Sequence, residues 1–436
     1  MKDVYRLLLK QFVGEASRPC VRVGDAVRVG ERVAVAAAEG ADLHASAEGV
    51  VTQVDGESVV IEGDVPAKQS VLPIEGANDL DKVRAAGLVG MGGAGYPTAD
   101  KLSRLATGGI IIANGAECEP IFAHNVTQMT NDPEKICRGV LHALDMTGAS
   151  RGVIAVKTKH RQAIAALNRA ITDPRLSVFP LIDRYPAGEE RALVRDILGV
   201  LLAPSAHPCD IGALVLNVET LARLADAIDD GRPVVAKNLT VAGTVAGLPK
   251  TQVFTDVPIG TPISKLICAF GASADDYDDI LIGGPFTGRY GTEQDVVTKR
   301  TSAVILMIAP LKEAAPLGLL VCACGAKEAR MREIAGRMGA SVVASQYCKH
   351  AERVGERWKC RNPGICPGQA ERVLQLKKAG AKALLIGNCS DCSNTVMAIA
   401  PKLGLRVHHT TDAAMRTMHQ RLIRKLDLQD GQLTHM

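Results

Sequence analysis

Between residues 19 and 63 apolar and polar positions alternate in short runs: Val21-Arg-Val-Gly-Asp-Ala-Val27, Arg32-Val-Ala-Val-Ala36, Gly49-Val-Val-Thr-Gln-Val54 and Ser58-Val-Val-Ile61. A period of two, punctuated by Gly-Asp and Gly-Glu pairs, predicts the strands of a small all-β sandwich. From about Asp79 to Arg232 continuous apolar runs (Gly109–Asn114, Gly152–Lys157) alternate with helix-period segments such as Arg161–Ile171. That alternation predicts an α/β unit with its ligands at the carboxyl ends of the strands. From Pro233 to Ala309 strands dominate again, as in Lys237–Val245 and Asp279–Pro285.

A linker is expected at Glu313–Leu317. A second doubly wound α/β unit is expected after it: strand Leu317–Ala323, helix Lys327–Met338, strand Ser341–Ser345, helix Gln369–Ala379, strand Ala383–Ile386, helix Asn394–Leu403, strand Arg406–His409 and helix Ala413–Leu426. The expected fold is therefore α/β multidomain, with boundaries at 1–75, 76–232, 233–315 and 316–436.

Composition narrows the function. The chain has 436 residues, too many for one core, and its 47% apolar and 22% charged content is that of a folded globular protein. The net charge is only +4, and Lys and Arg cluster only toward the C-terminal end (Arg416, Arg421, Arg424, Lys425), which argues against nucleic-acid binding. No apolar stretch approaches the roughly 20 residues of a membrane span, and Met1–Phe12 lacks a cleavage site, so a cytoplasmic protein is expected, with peripheral membrane association left open. His124, His408 and His409 receive no role and are expected at the surface or as caps.

The candidate chemistry begins at Gly90-Met-Gly-Gly-Ala-Gly-Tyr-Pro-Thr-Ala-Asp-Lys101, four glycines in six residues ahead of a helix. Such a loop lets backbone amides approach a phosphate, with the helix end and Lys101 adding positive potential. Next, Ile110-Ile-Ile-Ala-Asn-Gly-Ala-Glu-Cys-Glu-Pro120 delivers Asn114, Glu117 and Glu119 at a strand end, where an open sheet binds nucleotides. Tyr185-Pro-Ala-Gly-Glu-Glu-Arg191 and Val215-Leu-Asn-Val-Glu-Thr220 add an aromatic, carboxylates and a second asparagine.

All four segments, in this order over roughly Pro19–Pro310, resemble the NADH-binding flavin subunit of complex I and RnfC. The N-terminal pattern Val-x-Val-Gly-Asp-x-Val-x-x-Gly-Glu resembles the lipoyl-like barrel-sandwich domain of RnfC. No lysine stands between Glu39 and Glu48, so a docking or structural module is expected rather than a swinging arm. The strand-rich third unit looks like the family's β-grasp SLBB domain. The resemblance implies FMN and NADH as cofactors. Gly90, Gly92, Gly93 and Lys101 would hold the phosphate and ribityl chain. Asn114 and Glu117 would bond the flavin, and Tyr185, Gly188, Asn217 and Thr220 would complete the pocket. Tyr96 would stack on NADH, and Glu189 or Glu190 would border the nicotinamide. Complex I has an aspartate where this chain has Ala116 and an asparagine where it has Leu216, so those two side-chain contacts do not carry over.

The ferredoxin-type cysteine runs that usually end RnfC proteins and their cobalamin-reductase relatives do not occur here. Seven of the 12 cysteines nevertheless lie in the last third: Cys322, Cys324, Cys348, Cys360, Cys366, Cys389 and Cys392. In a reducing compartment clustered cysteines read as metal ligands or redox thiols. Cys20, Cys137, Cys209 and Cys268 read as packing residues. Cys389-Ser-Asp-Cys392 follows a strand and opens a helix, whose N-terminus favours thiolate, with Asn388, Ser390 or Ser393 as its cap. In a parallel sheet, Cys322, Cys324 and Cys348 would share its edge with that pair, and the loop carrying Cys360 and Cys366 could join them. A dithiol relay, an iron–sulfur or zinc site built from four of the seven, and inert packing remain open. An RnfC-like body with a Cys-x-x-Cys tail also resembles the proline reductase-associated electron-transfer family, PrdC. That implies electron flow from NADH through FMN and the terminal cysteines to a partner reductase. The alternatives are a docking adaptor with a degenerate flavin domain and a cobalamin reductase. The acceptor, the oligomeric state and the choice of NADH over NADPH stay open.

Overall fold

The computed structural model describes residues 2–37, 39–66, 71–105 and 108–424. In the first unit, strand Asp3–Leu8 pairs antiparallel with Ser58–Asp64, which pairs with Glu48–Val54, which pairs with Ala26–Val27. A second small sheet runs Arg18–Pro19, Arg32–Val35, Leu43–His44. Leu7, Val33, Leu43, Val51, Val59 and Ile61 fill the space between them. Residues 21 to 25 turn instead of extending: Asp25 N–H donates to Arg22 O at 3.1 Å and Arg22 N–H donates back to the Asp25 carboxylate at 2.7 Å, a braced β-turn that wins over the β-branched spacing. The unit is pinned to its neighbours. The buried Lys299 ammonium donates to Asp42 O and Gly87 O at 2.7 and 2.6 Å, and Val13 N–H donates to Gly95 O at 2.8 Å.

The second unit is a four-stranded parallel sheet in the order Leu176–Leu181, Arg151–Lys157, Ile110–Gly115, Ala213–Asn217. The chain builds outward from Ile110–Gly115 in one direction and then crosses to its other side. The carboxyl ends of Ile110–Gly115 and Ala213–Asn217 therefore form the topological switch point where open sheets take ligands. Helices Pro133–Thr147 and Val218–Asp229 cover this sheet and pack against each other so closely that a Cβ at Gly139 would stand 1.9 Å from Leu221 O.

In the third unit five strands run in the order Leu248–Pro258, Ala236–Val245, Ala303–Met307, Asp279–Ile282, Arg289–Gly291, and helix Ile263–Phe270 covers a core of Leu239, Val241, Ile280 and Val304. It is joined to the second unit by Lys237 and Glu219, an ion pair with both side chains fully buried.

The last unit is a four-stranded parallel sheet: Val342–Tyr347, Leu317–Val321, Ala383–Ile386, Arg406–His409. Alternate residues of its strands feed two cores. One packs under helix Glu328–Arg337, the other under helices Ala370–Lys378 and Ser390–Met397. The stretch expected to be a long loop holds a hairpin, Ala351–Val354 against Arg357–Cys360. Its charged residues conceal the alternation, and Trp358 anchors it by stacking on Tyr347 at 4.3 Å. The helix expected from Ala413 is described as Asp412–Thr417, and its expected end, Lys425–Leu426, lies outside the described residues. Among the described residues no helix is long and apolar enough to cross a membrane.

Candidate functional site

At the switch point lies a cleft of about 320 Å³. Its floor is the register pair Asn114 and Asn217, at the carboxyl ends of their strands. Asn217 also caps helix Val218–Asp229, accepting from Glu219 N–H at 2.9 Å. The glycine loop closes on itself, with Gly90 N–H donating to Tyr96 O and Gly95 N–H to Gly90 O, both at 2.9 Å. Thr220 steadies it by accepting from Met91 N–H at 3.0 Å.

Gly90, Gly92, Tyr96, Lys101, Asn114, Gly188, Glu189, Glu190, Asn217 and Thr220 all line this cleft. Three expected members do not: Gly93, Glu117 and Tyr185. Gly93 turns away at φ +98° and its carbonyl accepts from Arg300 at 2.7 Å. Glu117 and Tyr185 face a second cavity.

The cleft suits a flavin nucleotide. A Cβ at Gly92 would stand 2.9 Å from the Asn217 amide, and one at Gly188 would stand 3.0 Å from both Asn114 Oδ1 and Cys118 Sγ, so only glycine leaves the cradle open. The Thr98 hydroxyl lines the cleft, buried and without a partner. Ala116 and Leu216 are buried apolar residues, Leu216 in the cleft wall, and offer no side-chain hydrogen bond. Lys101 pairs with Glu190, and Arg191 with Glu189 at 3.0 Å. Glu189 also caps helix Glu190–Leu198, accepting from Arg191 and Ala192 N–H at 2.9 and 3.0 Å.

Beyond Asn114 the backbone turns sharply. Glu117 adopts φ +39° and Ile121 φ +76°, left-handed conformations that L-residues hold only where the surroundings impose them. This turn throws Glu117, Cys118 and Glu119 to the far side of the sheet end, into a cavity of about 340 Å³ with Lys157, Lys159, Asp183, Tyr185, Phe286 and Ser390 in its wall. Part of the Glu117 side chain is reachable from this recess, but protein surrounds it on every other side. Burial raises its carboxyl to about 7 against the lowering pull of Asn125, Lys157 and Lys237. Glu119 is a structural acceptor for Phe286 N–H at 2.8 Å and Thr287 N–H at 2.9 Å.

The seven C-terminal cysteines converge. The sulfurs of Cys322, Cys348 and Cys392 lie within 4.8 Å of one another, Cys392 reaches Cys366 at 3.1 Å, and Cys389 and Cys324 contact Cys322. Cys360 contacts Cys324. The fully buried Gln369 directs its Nε2 at Cys348, Cys366 and Cys392, at 3.2, 3.4 and 3.6 Å. Hydrogen bonds from its four neighbours hold the Cys322 thiol well below its ordinary range, and that from Cys392 brings Cys366 to about 6. The same sulfur contacts push Cys324, Cys348, Cys389 and Cys392 up, so thiolate character concentrates at Cys322, Cys360 and Cys366.

The helix after Cys389 starts at Ser390, with Cys389 itself at the cap position and no side-chain cap. Ser390 Oγ accepts from Tyr185 N–H at 3.0 Å, Ser393 Oγ donates back to Cys389 O, and the Asn388 amide is buried with neither end partnered. Of the three histidines expected at the surface or as caps, His408 is half-buried with its Nε2 2.9 Å from the Glu313 carboxylate, and the other two lie inside. His124 and His409 are buried, and burial keeps His409 neutral at about 4, its Nε2 3.1 Å from Asn388 O. Among the isolated cysteines Cys137 is buried in the core, whereas Cys20 and Cys268 are exposed.

One thin wall separates cleft and nest. Gly188 lines the cleft, its N–H donates to Cys118 Sγ at 2.7 Å, and Cys118 packs in one cluster with Tyr185, Cys348, Cys389 and Cys392. Tyr185 donates its hydroxyl to Cys324 O at 2.8 Å and stacks on Phe286 at 3.6 Å. Sequence reasoning missed Cys118, Gln369, Phe286 and Arg191. Cys118 and Arg191 lay inside motifs that could have flagged them.

Residues 83–226 match the family model of the Nuo51 FMN-binding domain, and residues 1–72 that of the RnfC barrel sandwich hybrid domain. The chain is 32% identical to cobalamin reductase PduS of Salmonella typhimurium, over 78% of this chain and 72% of that protein. It is also 32% identical to a component of the Na(+)-translocating ferredoxin:NAD(+) oxidoreductase complex of Acetobacterium woodii, over 68% of this chain and 71% of that one. A component of the ion-translocating oxidoreductase complex of Pseudomonas aeruginosa is 31% identical over 65% of this chain and 39% of its own length. The chain belongs to the RnfC and complex I flavin-subunit family, oxidoreductases of electron transport, with FMN and NADH as its cofactors.

Proposed function

We propose that this protein is a cytoplasmic subunit that takes electrons from NADH at the FMN cleft and passes them through the C-terminal cysteine nest to a partner reductase. The observation that carries the reading is the shared wall: Gly188 belongs to the cleft, and its hydrogen-bond partner Cys118 belongs to the cysteine cluster. When bound, FMN accepts hydride from NADH and releases electrons onward. The chain's residues do the positioning. The glycine loop and Lys101 hold the phosphate, Asn114 and Asn217 orient the ring edge, Tyr96 covers the nicotinamide and Glu189 and Glu190 border it. In this reading Tyr185 and Glu117 serve the cysteine side instead, and Gly93 shapes the loop.

Cys322, Cys324, Cys348, Cys360, Cys366, Cys389 and Cys392 are read as an iron–sulfur site, because seven converging thiols exceed the two a dithiol relay uses and thiolates select iron–sulfur clusters. The strand-rich third unit at 233–315 is read as the SLBB domain, and 316–436 as a redox domain added to the family body. Anaerobically purified protein should be yellow, NADH should bleach it, and iron with labile sulfide should accompany it. Colourless protein that FMN cannot reconstitute would retire the flavin reading. Zinc without sulfide, or two oxidisable thiols without metal, would replace the cluster.

A further inference from the structure

We propose that Lys359, on the hairpin of the C-terminal unit, is a phosphate-binding residue of the nucleotide cleft, so that the redox unit completes the site in the flavin unit. The inference rests on the reading of the cleft as a nucleotide site. Three Lys and Arg side chains line it: Lys101, Arg191 and Lys359. The first two are already neutralised, Lys101 by Glu190 and Arg191 by Glu189. Lys359 forms no ion pair or side-chain hydrogen bond among the described residues, which leaves its charge available to an anion entering the cleft.

Its position is fixed by a clasp between the two units. Arg191 Nη1 donates to the carbonyl of Cys360 at 2.7 Å, and Arg195 Nη1 donates to Asn362 Oδ1 and Pro363 O at 2.5 and 2.6 Å. The helix that begins beside Glu189 therefore grips the segment following Lys359, and the hairpin holds it from the other side through the Ala351–Cys360 pairing. A lysine presented by a braced strand end loses little freedom on binding, which is how preorganisation raises affinity. The ligand chemistry is a phosphate ester of a nucleotide. Two sources carry it in this cleft, the FMN phosphate and the pyrophosphate of the dinucleotide.

The test measures binding to the full-length protein by calorimetry, with wild type, Lys359→Gln and Lys359→Arg. Riboflavin is compared with FMN on flavin-free protein, and adenosine with ADP-ribose on FMN-loaded protein. Lys359→Gln should weaken the phosphate-bearing member of one pair on the order of tenfold, the scale of one lost charge-assisted hydrogen bond. It should leave the phosphate-free member unchanged. Lys359→Arg should restore most of the affinity, and the difference should shrink as salt rises. The pair that responds identifies the phosphate. Equal affinities for wild type and Lys359→Gln in both pairs would overturn the proposal while leaving the cleft reading intact, as would equal weakening of riboflavin and FMN. Wild-type protein that binds neither FMN nor ADP-ribose would overturn both.

Discussion

Glu117 combines a left-handed backbone with a carboxyl that burial raises from 4.5 to about 7. Between those values the folded chain keeps a proton that the unfolded chain has released. The folded state binds more protons across that window, so stability falls as pH rises from 4.5 to 7 and levels off above. The full interval sets an upper bound of roughly 3 kcal/mol, reduced by whatever water reaches the recess. Glu117→Gln should flatten this part of the profile. Thermal melts at pH 5 and pH 8 check it, because parallel wild-type and variant curves would mean the carboxyl is as solvated as a free one. Thr220 acts by a simpler route. Its hydroxyl is the partner of the Met91 amide, so Thr220→Val strands a buried N–H at a cost of about 1 to 3 kcal/mol, whereas Thr220→Ser keeps the acceptor. Chemical denaturation of the two variants should separate them by that amount, and flavin retention should follow the same order because the freed residue sits in the glycine loop.

At the scale of elements, the motif Asn217-Val-Glu-Thr220 divides its labour. Asn217 and Thr220 serve the cleft, while Glu219 turns away to meet Lys237 of the next unit and to accept from Asn238 N–H at 2.7 Å. Burial of both charges is tolerable only while each has the other, so Glu219→Gln should destabilise the protein by about 3 to 5 kcal/mol. Denaturant unfolding followed at the second and third units together would register the loss, and a change below about 1 kcal/mol would show that Lys237 finds another partner. The linker has a gentler counterpart. Burial raises the Glu313 carboxyl, but Arg406, the Ala315 amide and His408 outweigh it and bring it to about 2, so the stability it confers is complete above 4.5 and is lost as pH falls toward 2. Much of this architecture was legible in the chain. The run Gly109–Asn114 announced itself as an apolar strand ending in asparagine, and the α/β unit followed from the alternation of such runs with helices, whereas Ala213–Asn217 showed only as a motif carrying a second asparagine. Illegible were the facts created by chain reversal. The turn at Glu117 sends half of a contiguous motif to the other side of the sheet, Tyr185 follows it, and Lys359 arrives at the cleft on a hairpin whose charged residues obscured its period.

Across the whole molecule, the last unit is placed so that its cysteines back onto the flavin wall and its hairpin reaches around to the cleft. Both contacts run through the segment from Tyr185 to Arg195: Tyr185 to Cys324 and Ser390, Gly188 to Cys118, Arg191 to Cys360, Arg195 to Pro363. A chain wired in this way should store electrons in two places. A flavin alone takes up the equivalent of about one NADH, since each is a two-electron carrier. Anaerobic titration of the wild-type protein should therefore consume more than that before free NADH absorbance appears, the surplus residing in the nest. Cys322 touches four other thiols and is the nest's centre, so Cys322→Ser should bring uptake down to the flavin's share. Its FMN content and the rate of the first bleaching should stay at the wild-type level, because none of the cleft-lining residues is altered. Surplus uptake that survives the substitution would locate the second store elsewhere. Loss of FMN together with the surplus would mean that the nest supports the flavin wall mechanically rather than accepting its electrons.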